Sequence, residues 1–461
     1  MRISTYFLPF LCSCFFALFS QACTSNRVDN STDGGVDTTD NGGNSDNNNS
    51  DNESDNNSNN NDNDNDSDNK PAVVRTLETQ KLLLWLGREN LKPALGGHWG
   101  GKHDTYEKVW ESKPRAVGWE EQKKILGKEP LVLSFEYVET KYVDEFYYGQ
   151  YWDYIQDFRR KDIRRLIIEK AKQGGIITLV EHMPNFVTNP REVRADEEGI
   201  SWKRNDTTGN ARDRNGGNVI KSILPNGSHH EAYQQYLDDM ADYFDSLRVD
   251  GTPIPILFRP FHEMNGGWFW WGNSELKEGE TQREIVKLWR FTWNYLTHTR
   301  ALRNLIWIWS LNIEFNYNNT SQDFNTYWPG STYVDVIALD GYIFKSETNM
   351  LPETNMLNED SGDFAKTYKK LEQIAMREGL PLAISEFGFN YEDKREAAVW
   401  QEKLPRFLKS LSLQPSYFLI WNSPFGPMAP AYSGEDQADD EKNFREFIFD
   451  EQGASRFLLL E

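Results

Sequence analysis

Between Ile256 and Gly272 the chain reads I-L-F-R-P-F-H-E-M-N-G-G-W-F-W-W-G. An apolar run, Ile256-Leu257-Phe258, stops abruptly at Arg259, His262 and Glu263. Asn265, two glycines and Trp268, Trp270 and Trp271 follow. A buried strand that ends in charge and opens into an aromatic loop has the makings of an active-site edge. The alternative is a satisfied structural cluster beside core tryptophans. Flat aromatic side chains suit a ligand with flat, weakly polar faces, and sugar rings have such faces. Other apolar runs end in the same way, at His98, Glu136, Glu181, His182, Asn312, Asp340, Tyr342, Glu386 and Trp421. Five of these strand-end residues, counting Glu263, are carboxylates. Two facing carboxylates suffice to hydrolyse a glycosidic bond: one protonates the leaving oxygen, and the other attacks or activates water. Residue types alone do not say which two, and each could instead partner an arginine or a backbone amide.

The elements that position these groups follow from the apolar pattern. Eight short runs are expected as strands: Ala94 to Trp99, Leu131 to Tyr137, Gly175 to His182, Pro255 to Glu263, Leu305 to Asn312, Val334 to Tyr342, Pro381 to Gly388 and Tyr417 to Ser423. Amphipathic helical patterns precede them or lie between them: Thr76 to Leu86, Trp152 to Lys172, His230 to Arg248, Thr281 to Thr299, Phe364 to Glu378 and Arg395 to Leu413. Glu441 to Phe449 closes the chain. Continuous apolar strands alternating with helices imply a parallel sheet covered by helices. Eight of them imply an α/β fold, a closed (β/α)8 TIM barrel forming one catalytic domain, with its site at the C-terminal strand ends. Trp307 and Trp309 alternate along one strand, so at least one is core. Trp85, Trp289 and Trp293 sit on helical patterns and read as packing.

Not all 461 residues belong to that fold. Residues 1–22 have Arg2, an apolar run from Tyr6 to Phe19, and then Ser20 and Ala22, the pattern of a cleaved export signal. The Ser-Gln-Ala-Cys ending resembles a bacterial lipoprotein box, with Cys23 as the lipidated residue; simple secretion after Ala22 is the alternative. All three cysteines, Cys12, Cys14 and Cys23, lie within residues 1–23, so the mature fold is expected to have neither a disulfide nor a thiolate metal site. Residues 23–70 are rich in Asn, Asp and Ser and are expected to be disordered. Thr24 to Lys70 carries 12 acidic and 2 basic residues. Setting aside its −10 and the +1 of Arg2 from the whole-chain −21 leaves −12 for residues 71–461. Nucleic acid is therefore not an expected partner. The acidic tether should self-repel and extend as a stalk between a membrane anchor and the domain.

R-P-F-H-E-M-N-G-G-W-F-W-W-G at Arg259–Gly272, together with S-E-F-G at Ser385–Gly388, resembles glycoside hydrolase family 26 over residues 71–461. The resemblance implies an endo-β-1,4-mannanase that works without a cofactor by retaining double displacement. It implies Glu263 as general acid/base and Glu386 as nucleophile. His262, which stands where many members of the wider clan have Asn, would hydrogen-bond near the reacting sugar or the nucleophile. Tyr342, and His262 with it, would help keep the nucleophile ionised. His182 and Asn185 would wall the −1 subsite, Trp421 would form its floor, and Trp268 would be a platform on the leaving side. Trp202 would be a further aromatic subsite. Glu181 stands where relatives often have Trp, which would add a carboxylate near the site. The expected partners are β-mannan or manno-oligosaccharide and, through the lipid anchor, the outer membrane, with the cell surface favoured. A monomer is expected.

Rival chemistries find less support. H-E-x-x-H fails because Gly266 stands at its second His, and neither G-x-S-x-G nor a strand-following G-x-G-x-x-G occurs. Within the family's scaffold, an exo-acting mannobiohydrolase, a mixed-linkage glucanase and a β-1,3-xylanase are alternatives. The long insert Asn189 to Ser228 could block one end of a cleft. A non-catalytic glycan-binding lipoprotein would have little need of both carboxylates.

Overall fold

Eight apolar runs pair side by side, all parallel, and close into a barrel: β1 (Ala94–His98), β2 (Val132–Glu136), β3 (Ile176–Val180), β4 (Ile256–Arg259), β5 (Leu305–Asn312), β6 (Val336–Ile343), β7 (Leu382–Phe389) and β8 (Tyr417–Ile420). Each pairs with the next in sequence, and β8 returns to β1. This computed structural model describes residues 73–88, 92–98, 118–137, 160–183, 186, 219–266, 269–272, 280–314, 323–343, 356–358, 362–389, 399–421 and 437–460. Contacts divide the chain into Met1–Lys70, which lies outside the described residues together with Cys23, and Pro71–Glu461. All eight expected strands are present. Several are shorter than their apolar runs, because the polar residues after them leave the ladder to form loops.

Strand alternation sorts the core into two layers. Val132, Val180, Leu257, Ile306, Ile308, Val336, Ala338, Ala383 and Leu419 plug the barrel interior. Their neighbours, among them Leu133, Leu179, Phe258, Leu339, Ile384 and Phe418, face outward under the helices. Trp307 and Trp309 both belong to this outer layer. Trp307 meets Phe258 and Trp289 edge-on, and Trp309 meets Trp328. Gly96 lets β1 approach β8, since a Cβ there would come within 2.8 Å of the Leu419 Cβ.

The covering helices include α1 (Leu77–Leu86), α2 (Gly118–Leu126), α3 (Arg160–Lys172), α4 (Val219–Ile223), α5 (His230–Ser246), α6 (Glu280–Asn294), α7 (Asp363–Glu378), α8 (Leu404–Ser410) and α9 (Gln437–Ile448). Two expected helices are composite. α6 ends in a π turn, Tyr295–Thr299, and α8 follows another, Val399–Lys403. The elements not expected include α2, α4 and a short ribbon. This two-residue ribbon pairs Arg248–Val249 with Thr252–Pro253 through Asp250 and Gly251, both at positive φ. Asp-Gly is a strong hairpin-turn signal, here joining strands too short to show alternation. Before β1, Thr76 caps α1, and Arg75 grips both carboxylate oxygens of Asp335 at 2.6 and 2.8 Å. Asp335 in turn accepts the Trp307 backbone N–H, which ties the N-terminal segment to the barrel. Of the insert Asn189–Ser228, the last ten residues contain α4 and a turn; α4 packs on α5 and α6. The rest lies outside the described residues.

Candidate active site

The charged cluster forms where β4, β6 and β7 end. Leu257 points inward on β4, so Arg259, two residues on, does too. Its guanidinium donates from Nη1 to Asp340 Oδ2 at 2.7 Å and from Nη2 to Glu386 Oε1 at 2.5 Å. All three side chains are buried. The Tyr342 hydroxyl donates to the other Glu386 oxygen, Oε2. Both oxygens of Glu386 therefore accept a hydrogen bond, one of them charge-assisted.

Glu386 reaches this position through a register shift. Leu339 pairs with Ile384, but the next residue, Asp340, pairs with Glu386. The extra residue, Ser385, marks a bulge, and bulges re-aim side chains. Ile384 and Phe387 both lie in the outer layer, whereas of the two residues between them Ser385 reaches Asp340 and Glu386 reaches Arg259. Ser385 Oγ donates to Asp340 Oδ1 at 2.6 Å.

Glu263 lies beyond the end of β4. Phe261 and Glu263 have φ of 48° and 53°, a region that side chains other than glycine seldom adopt. The turn is held by bonds from Glu263 N–H to Ser310 O at 3.1 Å and from Gly266 N–H to Glu263 O at 2.8 Å. The Asn312 amide at the end of β5 donates to Glu263 Oε1. Strain held at a site by surrounding hydrogen bonds is a mark of positioning.

Burial and charge set the electrostatics. Burial, with help from the Asp340 charge, pushes the Glu386 carboxyl up to about 7, while Arg259 and Tyr342 pull it down. Burial also raises Asp340, again against Arg259. Arg259 keeps its proton firmly, since the two carboxylates outweigh its desolvation. The phenol of Tyr342 is pushed well up by burial and by Glu386. Two histidines are held neutral. His98 and His262 are both lowered well below the usual value, first by burial and also by the Arg259 charge.

These rings form the wall. His98 stacks on Trp421, with centroids 3.7 Å apart and planes 18° apart, and Arg259 lies 5.6 Å over the same indole. His182 Nδ1 is 2.9 Å from Glu136 Oε2, and its ring meets His262 edge-on at 4.7 Å. The Trp271 indole N–H donates to the His262 carbonyl at 2.9 Å, and the Trp270 indole to the Met183 carbonyl at 2.9 Å. Among the described residues, no three His, Cys, Asp or Glu side chains are grouped to hold a metal ion.

The structure thus gathers Glu263, Glu386, Tyr342, His182, His262 and Trp421 at one end of the barrel. Asn185, Trp202 and Trp268 lie outside the described residues. Three expectations are corrected. Glu181 does not add a carboxylate to the site: Val180 faces inward, so Glu181 faces outward and accepts from Tyr236 on α5. The second donor to Glu386 is Arg259 rather than His262, whose Nδ1 has no hydrogen-bond partner among the described residues and which also bonds to the Glu181 backbone. Trp270 and Trp271 are buried braces of the loop, not sugar platforms. The signal for Arg259 was present in its even spacing from Leu257.

The model of glycosyl hydrolase family 26 matches residues 74–367, a span that includes Glu263 and Tyr342 and stops before Glu386. Mannan endo-1,4-beta-mannosidase A and B of Caldalkalibacillus mannanilyticus is 27% identical over 377 residues, 76% of this chain and 57% of that protein. Mannan endo-1,4-beta-mannosidase of Bacillus subtilis strain 168 is 38% identical over 275 residues, 57% of this chain and 63% of that one. The chain therefore spans less than two thirds of either relative. A GH26 beta-mannanase structure from Bacteroides ovatus superposes with a TM-score of 0.59 at 24% identity, over 84% of this chain and 96% of that one, and shares the barrel fold.

Proposed function

The chain belongs to glycoside hydrolase family 26, and from that premise we propose that it hydrolyses internal β-1,4-mannosidic bonds with retention, using Glu386 as nucleophile and Glu263 as general acid/base. The observation that carries the reading is the setting of Glu386, with one oxygen bonded to Arg259 and the other to Tyr342. A carboxylate braced from both sides, by a cation and by a phenol, is held in one orientation and favoured in its charged form. In the first step Glu386 attacks the anomeric carbon while Glu263 gives its proton to the leaving oxygen. In the second, Glu263 takes a proton from water, which displaces Glu386 and restores both groups. Retention needs the two carboxyl groups about 5–5.5 Å apart. Trp421, stacked on His98, offers an aromatic face as the floor beneath the reacting sugar, and His182 and His262 stand beside it.

The relatives named for mannan hydrolysis support mannan as the substrate class. The export signal and the Ser-Gln-Ala-Cys sequence support exported placement with Cys23 lipidated and the acidic segment as a stalk. The test is a polysaccharide panel of galactomannan, glucomannan, mixed-linkage glucan and xylans, with products resolved over time and Glu386→Ala and Glu263→Ala alongside. Mixed manno-oligosaccharides from mannans, lost in both variants, are expected. Mannobiose alone from the outset would mean exo action, and near-normal hydrolysis by Glu386→Ala would refute the assignment.

A further inference from the structure

Strand β2 supplies no group to the proposed reaction, yet its interior row turns polar as it nears the site. Val132 belongs to the apolar plug, and Ser134 and Glu136 follow at the alternate positions. Ser134 Oγ lies 3.3 Å from His98 Nδ1, and Glu136 Oε2 lies 2.9 Å from His182 Nδ1. The two histidines come from the strands on either side: His98 ends β1, and His182 stands two residues past β3. Each then reaches a different wall. His98 stacks on Trp421, and His182 meets His262, the residue before Glu263. Glu136 itself is buried.

An ionised carboxylate has no proton to give, so in the Glu136 pair it is His182 Nδ1 that donates. A neutral imidazole bound in this way keeps its lone pair on Nε2. Carboxylates orient histidines by the same device around metal ions, fixing both tautomer and ring plane. We infer that Glu136 is a positioning residue for sugar recognition: by accepting the Nδ1 proton it fixes the His182 ring and makes Nε2 the acceptor offered to a sugar hydroxyl. The inference rests on the glycosidase reading and deepens it, because it states the polarity in which one wall of the pocket reads the substrate. Glu136 touches no reacting atom and acts through His182.

The test uses the full chain labelled with 15N-histidine, as wild type, Glu136→Ala, Glu136→Gln and His182→Ala. His182→Ala assigns the His182 signals. Long-range 15N–1H spectra then read the tautomer without substrate, and KM and kcat are measured on mannan. In wild type, His182 is expected as the Nδ1–H tautomer. Glu136→Ala should convert it to Nε2–H and raise KM about tenfold or more, with a smaller change in kcat. Glu136→Gln, whose amide oxygen can accept the same proton, should restore both. Combining Glu136→Ala with His182→Ala should cost no more than His182→Ala alone. A His182 protonated on both nitrogens in wild type, or a tautomer and KM unchanged in Glu136→Ala, would overturn the inference while the enzyme remained active. A wild-type chain inert on every polysaccharide would overturn the glycosidase reading itself, and the sugar recognition inferred here with it.

Discussion

Asn265 and Asn312 hold each other by two reciprocal hydrogen bonds across the ends of β4 and β5. The Asn265 amide donates to the Asn312 carbonyl at 2.9 Å, and the Asn312 backbone N–H donates to Asn265 Oδ1 at 2.8 Å. The Asn312 side chain is thereby aimed at Glu263, to which it donates. Asn265→Ala would leave two buried backbone groups without partners, at about 1–3 kcal/mol each before any rearrangement. Because Glu263 loses its fixed donor, kcat should fall together with stability. Asn312→Ala removes the donor to Glu263 but leaves both Asn265–backbone bonds in place. It should lower kcat with the smaller loss of stability. Denaturant unfolding and steady-state kinetics on both variants check the separation.

Arg259 sits between two buried carboxylates, and this sets the acid limb of the pH profile. Glu386 must be ionised to attack. Burial raises its pKa, so activity should fall as pH drops through a value nearer 7 than 4.5. Tyr342 and Arg259 both favour the ionised form, and removing either moves the limb further toward alkaline pH. Tyr342→Phe should therefore lose activity most strongly at low pH and recover part of it as pH rises. Arg259→Met also leaves Asp340 buried without its cation, and should cost about 3–5 kcal/mol of stability. The profile of kcat/KM against pH for the three proteins decides the matter; a Tyr342→Phe limb moved toward acid would contradict it.

The eight strands were legible because each is a continuous apolar run, and burial on both faces demands such runs. The site was legible to the extent that strand ends carry polar residues. What the residues did not reveal was direction. Glu181 and His182 are neighbours at the same strand end, yet one faces helix α5 and the other faces the barrel. Glu386 escapes simple alternation altogether, because the bulge at Ser385 turns two successive side chains inward. A bulge depends on pairing with the neighbouring strand, which no local pattern records. Arg259 was legible by counting from Leu257, but its two partners lie on strands far off in sequence.

The aromatic loop after Glu263 makes a further distinction. Trp271 stacks on Phe269 at 4.4 Å and donates to the His262 carbonyl. Trp271→Phe keeps an aromatic ring and loses the donor, so it should cost about 1 kcal/mol in stability. It should also lower kcat more than it raises KM, since His262 and Glu263 are joined directly. Trp270→Phe loses the bond to Met183 O and should likewise reduce stability. Neither should weaken substrate binding as the loss of a sugar platform would. Thermal unfolding and KM on manno-oligosaccharides of increasing length test this; a KM effect that grew with chain length would make Trp270 or Trp271 a subsite.

Glu181 makes the stability of the protein depend on pH. Its side chain is fully buried and faces Tyr236, with Oε2 unbonded among the described residues. Burial and the Glu136 charge raise its carboxyl well above the ordinary value, so it stays protonated in the fold. In the unfolded chain it ionises near the ordinary glutamate value of 4.5. Its contribution to stability is therefore fully present below that value and is lost as pH rises toward the folded-state pKa. The loss is about 1.4 kcal/mol for each pH unit between the two. Glu181→Gln keeps the shape and the acceptor for Tyr236 but cannot ionise. It should match wild type at and below about pH 4.5 and exceed it progressively as the pH rises above that value in denaturant unfolding. Parallel stability curves for the two proteins across that range would mean that Glu181 is ionised in the fold.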